Sequence, residues 1–113
     1  MIKKHTQIKI EVGLDENHIP EEIKWSAEDG NTWDNKSKAM ILSLWDDKEK
    51  VSLYLNLWIK QMPLEEMKAF YYQVFISMAE SYKKASLDEE LAMDIENFGK
   101  AFIKKAQEKD LKK

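Results

Sequence analysis

The chain has 113 residues, a charged fraction of 35% and a formal net charge of −3 at pH 7. A chain of this length can bury one hydrophobic core, and its acidic balance argues against nucleic-acid binding, which needs a basic surface. The sequence has no cysteine, which excludes disulfide bonds, thiolate nucleophiles and cysteine metal sites.

The N-terminal segment Met1–Ile10 lacks the apolar run of a secretory signal peptide. No stretch of the sequence approaches the roughly 20 apolar residues that a membrane-spanning helix needs. Together with the absence of cysteine, which fits a reducing compartment, these features predict a cytoplasmic protein with no direct membrane span.

Two strands are predicted first, at about residues 6–14 and 19–27, because apolar and polar residues alternate with period two in both. Gly13 within the first strand indicates a β-bulge. Pro20 stands at the start of the second strand, where a missing N–H is tolerated. The apolar residues of the pattern are Ile8, Ile10, Val12, Leu14, Ile19, Ile23, Trp25 and Ala27.

The segment Glu28–Ser37 is rich in turn-forming residues and is predicted to link two hairpins. A short helical turn is expected at Asp34–Lys38. The single Trp33 in this segment is expected to fold back onto a sheet edge.

A second hairpin is predicted from strands at about 38–46 and 50–60, joined by a turn at Asp47 and Lys48. In this register one face of the hairpin is entirely apolar, and we expect it to be the core side of the sheet. The predicted pairs are Leu44 with Val51, Leu42 with Leu53, and Met40 with Leu55, and Leu57 continues the same face.

The opposite face of this hairpin would be polar if it met water, yet it carries four large apolar residues, Ile41, Trp45, Tyr54 and Trp58. An exposed apolar patch usually marks an interaction surface, and Trp and Tyr are enriched in interface hot spots. Cover by the Trp33 segment or by the C-terminal tail of the same chain is the alternative. These four residues are the predicted protein-interaction site.

Two helices are predicted at about 63–84 and 87–108, from apolar residues that recur every three to four positions. Pro63 suits the first helical position, and Ser86–Glu89 matches the capping-box pattern that starts a helix. Four aromatic residues of the first helix could be read as a ligand pocket, but at this spacing core packing is commoner. They are Phe70, Tyr71, Tyr72 and Phe75.

A run of strands followed by helices predicts an α+β fold. We expect a single domain over residues 1–113, in which a four-stranded antiparallel sheet of two hairpins is followed by two C-terminal helices packed on one face. The export chaperone SecB has the same order of elements, which is an analogy of fold and carries little functional weight.

The sequence predicts no catalytic, cofactor or metal site. His5 and His18 are the only histidines, and neither has a partner at helix or strand spacing to orient it as a base or ligand. Two acidic clusters match turn chemistry and lack the spacing of a calcium-binding EF-hand loop. They are Glu28, Asp29 and Asp34, and Asp46, Asp47 and Glu49.

Four blocks of the sequence resemble the gliding-motility protein GldC family of Bacteroidetes. They are Trp25–Gly30, Lys38–Asp46, Leu57–Lys68 and Phe70–Ser81. The likeness spans nearly the whole chain, and the C-terminal helix departs from it most. It implies a small soluble protein of the bacterial interior, an accessory to surface gliding, with no known enzymatic activity.

Two functional hypotheses follow. The first is a non-enzymatic cytoplasmic adaptor that binds other proteins, with gliding-machinery components and a second copy of the chain as candidate partners. The alternative is a SecB-like chaperone of unfolded clients, suggested by the element order, the apolar outer face and six methionines, which adapt to varied surfaces. An enzyme with a small-molecule pocket is a third possibility that lacks the parts an active site needs.

Overall fold

The computed structural model describes residues 1–111. The chain is an α+β protein with five strands in two antiparallel sheets, followed by two helices. The strands belong to one compact unit, residues 1–62, and the helices to a second unit that begins at Pro63. In chain order the elements are β1 (Ile8–Leu14), β2 (Pro20–Ala27), β3 (Thr32–Ser37), β4 (Ala39–Trp45), β5 (Ser52–Trp58), α1 (Leu64–Ser86) and α2 (Glu89–Leu111).

β1, β2 and β3 form a three-stranded sheet with β2 in the middle. Val12 of β1 pairs with Ile23 of β2, and Ile23 pairs in turn with Ser37 of β3. Ile23 is 2% exposed, whereas the other residues of β2 are half-buried or exposed. The bulge predicted from Gly13 is confirmed: the register shifts between Gly13 and Leu14.

The prediction of one four-stranded sheet is wrong, because the segment predicted as a linker contains a fifth strand. β3 occupies the place where the sequence predicts a helical turn at Asp34–Lys38. Its residues are mostly polar and exposed, so it lacks the period-two signal of a half-buried strand. Asn31 and Asp34 adopt left-handed backbone angles, with φ of 49° and 50°, which these residue types tolerate.

β4 and β5 form a separate two-stranded sheet, and their predicted register is wrong by two residues. The connection is longer than a two-residue turn, because the Asp46 carboxylate accepts the N–H groups of Lys48 (3.1 Å) and Glu49 (2.7 Å). Lys50 then closes the loop in the left-handed conformation, at φ 56°. The observed pairs include Met40 with Leu57, Leu42 with Leu55, and Leu44 with Leu53.

A shift of two residues leaves every side chain on the face where the sequence predicts it, since side chains alternate with period two. Leu42 and Leu55 therefore still share a face, although the predicted partner of Leu42 is Leu53. The error lies in the loop, and the assignment of residues to faces does not depend on it.

The start and end of α1 and the start of α2 lie one or two residues from the predicted positions, and α2 extends three residues beyond its predicted end. Pro63 precedes α1 as its N-cap, with φ −66° and ψ 150°. The capping box predicted at Ser86–Glu89 is wrong, because Ser86 is the last residue of α1. Asp88 caps α2 instead, where its carboxylate accepts the N–H of Leu91 at 3.0 Å.

α1 and α2 run antiparallel and pack through aromatic and small side chains. Phe75 of α1 meets Phe98 and Phe102 of α2, with ring centroids 5.2 and 5.4 Å apart. The helices approach closely at Gly99, where an added Cβ would lie 3.0 Å from the Cβ of Phe75. Core packing of the aromatic residues of α1, rather than a ligand pocket, is thus supported at Phe75. Three alanines are buried in this unit, Ala79, Ala92 and Ala106.

Candidate functional site

The four predicted interaction residues lie on one face of the β4–β5 hairpin, which we call the outer aromatic face (Ile41, Trp45, Tyr54 and Trp58). Each lies across from a small or polar residue on the neighbouring strand, and this leaves room for the large side chains. The pairs are Ala39 with Trp58, Ile41 with Asn56, Ser43 with Tyr54, and Trp45 with Ser52. The hairpin thus brings all four onto one face.

The side chains of the outer aromatic face are exposed in the chain. Their exposed fractions are 38% for Ile41, 67% for Trp45, 73% for Tyr54 and 58% for Trp58. Large aromatic side chains carry about 150–250 Å² of surface each, so the two tryptophans and the tyrosine alone present roughly 300–500 Å² to solvent. Together these side chains expose an apolar area of the size that marks a binding surface.

The opposite face of the hairpin, which the sequence predicts as core, is also partly exposed. Leu44, Leu53 and Leu55 expose 59%, 56% and 49% of their surface. The sequence carries a signal for this arrangement, because neither β4 nor β5 contains a charged residue. Strands that are apolar on both faces are typical of sheets covered on both sides. We call this side of the hairpin the leucine face (Met40, Leu42, Leu44, Leu53, Leu55 and Leu57).

The base of the hairpin is tied to the β1–β2 turn by charged side chains. Lys60, two residues beyond β5, forms an ion pair with Asp15, and its Nζ lies 3.4 Å from a carboxylate oxygen of Glu21. Asp15 also accepts the N–H groups of Asn17 (2.8 Å) and Ile19 (3.0 Å). The bond from Lys60, followed by that from Ile19, lowers the pKa of the Asp15 carboxyl from its ordinary value. The bond to Asp15 likewise raises the pKa of Lys60.

The titratable residues weighed as catalytic candidates are dispersed. His5 and His18 are both exposed, and His18 lies in the β1–β2 turn with φ 62°. Asp46 orders the β4–β5 loop, and Asp29 forms an exposed ion pair with Lys4 at 3.2 Å. Within residues 1–111, no three histidine, aspartate or glutamate side chains converge as metal ligands.

The helix unit offers a shallow groove beside the buried Ala79 and Ala92, lined mainly by charged side chains such as Glu80, Lys83 and Glu96. Its lining has no serine, threonine or histidine. Neither described helix is long and apolar enough to cross a membrane. The outer aromatic face is therefore the strongest candidate site of the described chain.

Comparison with family profiles gives a match over residues 20–108 to the family described as "Gliding motility-associated protein GldC-like". The matched range begins with β2 and ends inside α2, so it includes the whole β4–β5 hairpin. Searches of curated proteins and of solved structures returned no match.

Proposed function

Because the chain belongs to the GldC-like family of gliding motility-associated proteins, we propose that it is a non-enzymatic accessory of a bacterial gliding apparatus. It acts by binding other proteins through the outer aromatic face. We place it in the cytoplasm, where a chain without cysteine has no need of an oxidising environment. The observation that carries the proposal is the exposure of Trp45, Tyr54 and Trp58 on one face.

Exposure of this apolar face to water has a free-energy cost that binding of a partner removes. Burial of apolar surface stabilises an association by about 25 cal/mol per Å², so roughly 300–500 Å² corresponds to about 8–12 kcal/mol before the entropic cost of association. That cost is itself of the order of 4–15 kcal/mol, so the face can support specific binding once polar contacts and further area are added. Tryptophan and tyrosine supply such anchors with little loss of side-chain entropy.

The alternative is a chaperone of the SecB type that holds many unfolded chains. The partial exposure of the leucine face favours it, because a two-sided apolar hairpin could hold extended segments of varied sequence. The two functions differ in selectivity. An adaptor binds one or two partners at fixed stoichiometry, whereas a chaperone binds many and suppresses the aggregation of unrelated unfolded proteins.

The test compares two tryptophan sites. The double variant Trp45→Gln and Trp58→Gln should lose the partners that the wild-type chain captures from native cytoplasm, and should fail to restore gliding to a null strain. Trp33→Gln is the matched control, because Trp33 is 62% exposed but lies on β3, outside the hairpin. Loss of a few kcal/mol of affinity is expected for central aromatic anchors.

Circular dichroism must show that the helices of the double variant persist. If the double variant unfolds, the tryptophans are core residues and the proposal fails. Equal loss of partners with Trp33→Gln would also contradict it. Suppression of aggregation of several unrelated clients by the wild-type chain would favour the chaperone alternative.

A further inference from the structure

We infer that β5 is the seam of a homodimer, in which β5 pairs antiparallel with β5 of a second copy of this chain. This inference rests on the proposed function, in which the β4–β5 hairpin is the binding element. A second copy of the chain would then occupy the free edge of β5. Four observations carry it: the direction of the backbone groups, the composition of the strand, its exposure and its self-complementarity.

The hydrogen bonds at the two ends of the hairpin establish which backbone groups of β5 point away from β4. The Asp46 N–H donates to the Val51 carbonyl at 2.9 Å, and the Ile59 N–H donates to the Lys38 carbonyl at 2.8 Å. Hydrogen-bonded pairs alternate along an antiparallel ladder, so the odd-numbered residues of β5 bond to β4. The N–H and C=O groups of Ser52, Tyr54, Asn56 and Trp58 therefore point away from β4. Within residues 1–111 no third strand pairs with this sheet.

The free edge of β5 lacks the devices that usually prevent strand pairing. Natural edge strands carry charges or proline, which discourage another chain from adding to the sheet. In the three-stranded sheet both edge strands follow this rule, with Lys9 and Glu11 on β1 and Asp34 and Lys36 on β3. The sequence of β5, SLYLNLW, has no charge, no proline and no glycine.

Exposure selects β5 over β4 as the open edge. All side chains of β5 are exposed except Leu57, which is half-buried. In β4, by contrast, Ala39, Met40 and Leu42 are all half-buried. A two-stranded sheet is at best marginally stable by itself, so a further strand on the β5 side would stabilise the hairpin and would pair its open edge.

Pairing of β5 with its own copy is self-complementary. Outward-pointing residues are even-numbered in both copies, so only even residues can form the hydrogen-bonded pairs and every side chain keeps its face. With the two-fold axis at Leu55, the middle residue of β5, Tyr54 faces Asn56 of the partner subunit. Leu53 likewise faces Leu57 of the partner subunit. On the outer aromatic face, large residues of one copy again lie across from small or polar residues of the other copy. On the leucine face, leucines lie across from leucines.

The resulting four-stranded sheet, in the order β4-β5-β5-β4, would present two outer aromatic faces side by side. The dimer would thus give a gliding partner two equivalent binding surfaces related by symmetry.

Cysteine cross-linking tests the seam directly, because the chain has no cysteine of its own. At a non-hydrogen-bonded pair the Cα atoms are about 4.5 Å apart, within the range a disulfide can bridge. Single variants Leu53→Cys, Leu55→Cys and Leu57→Cys are compared under mild oxidation. Leu55→Cys should give the largest yield of covalent dimer. Ser43→Cys is the control, since it is exposed on β4 of the same hairpin.

A charge on the seam tests the same interface without a covalent bond. Asn56→Lys should weaken dimerisation at least tenfold in sedimentation equilibrium, whereas Ser43→Lys, also a polar-to-lysine change on the outer face, should not. A wild-type chain that remains monomeric at high micromolar concentration overturns the inference. So does cross-linking through position 43 in preference to β5.

The two proposals can fail separately. If the wild-type chain is monomeric but the tryptophan double variant still loses its partners, the dimer is wrong and the proposed function stands. If the chain dimerises through β5 but captures the same partners with and without the tryptophans, the proposed function is wrong and the dimer stands.

Discussion

The helix unit and the β4–β5 hairpin both contain many large apolar side chains, but they use them differently. In the helix unit, the ring of Phe75 contacts the rings of Phe98 and Phe102. In the hairpin, no ring among residues 1–111 packs against Trp45 or Tyr54, and both side chains are mostly exposed. The number of apolar residues in a segment therefore does not show whether the segment belongs to the core. Their side chains are buried only where another surface of the same chain packs against them.

Truncation of one aromatic residue in each region tests whether the two regions differ in packing. Phe75→Ala should lower the free energy of unfolding by about 3 kcal/mol, because it empties the contact between α1 and α2. Trp45→Ala removes a larger side chain but should cost less than about 1 kcal/mol, since exposed positions contribute little to the stability of a single chain. Urea unfolding followed by circular dichroism, at concentrations where the chain is monomeric, measures both values.

Equal destabilisation by the two variants would mean that Trp45 is core and that the hairpin and the helix unit do not differ. Tyr54→Ala serves as a second hairpin variant, because Tyr54 is on the same face as Trp45. Its cost should also stay below about 1 kcal/mol.

The elements with a strong hydrophobic period could be predicted from the sequence. Alternation with period two shows which face of a strand is apolar, and it is present in β1, β2, β4 and β5. Spacing of three to four residues shows the apolar face of each helix. The bulge at Gly13 and the membership of the outer aromatic face follow from the same period-two pattern. Face membership also survives a register error of two residues, because such a shift keeps the parity of every position.

Elements without such a period could not be predicted. β3 is polar and exposed, and it pairs with β2 through backbone hydrogen bonds. Such pairing does not require an alternating hydrophobic pattern, so the sequence of β3 gives no signal for a strand. The β4–β5 register depends on the carboxylate of Asp46, which bonds two successive N–H groups and lengthens the loop. The start of α2 depends on Asp88 rather than Ser86, a choice between two good capping residues that spacing alone does not make.

Leu87 is an exception within the helix unit, because it is a large apolar residue whose side chain is mostly exposed. It ends α1 in the left-handed conformation at φ 61°, with its N–H donating to the Lys83 carbonyl at 2.8 Å, and it is 83% exposed. Leu87→Gly should raise the free energy of unfolding by about 0.5–1 kcal/mol, because glycine adopts this conformation without a Cβ clash.

Thermal unfolding of Leu87→Gly and Leu87→Ala separates the backbone term from the side-chain term. Alanine keeps the left-handed penalty and should leave the stability nearly unchanged. A stabilisation by alanine equal to that by glycine would place the effect in the exposed side chain instead.

The smallest effect is expected at the polar tether that joins the hairpin to the β1–β2 turn. The folded Asp15 carboxyl has a lowered pKa, so its contribution is present above the ordinary carboxyl pKa of about 3.9 and is lost as the pH falls below it. Lys60 has a raised pKa, so its contribution is present below its ordinary value of 10.5 and is lost as the pH rises through the folded value. The ion pair therefore stabilises the strand unit between about pH 4 and pH 10.

Lys60→Met should accordingly lower the urea midpoint at pH 7, and should lower it less at about pH 3, below the ordinary carboxyl pKa, where part of the contribution of Asp15 is lost. Lys48→Met is the matched control, because Lys48 lies in the β4–β5 loop and forms no ion pair among the described residues. Added salt should reduce the difference at pH 7, since the Lys60 side chain is 41% exposed. A difference of the same size at both pH values would assign the effect to packing of the Lys60 side chain.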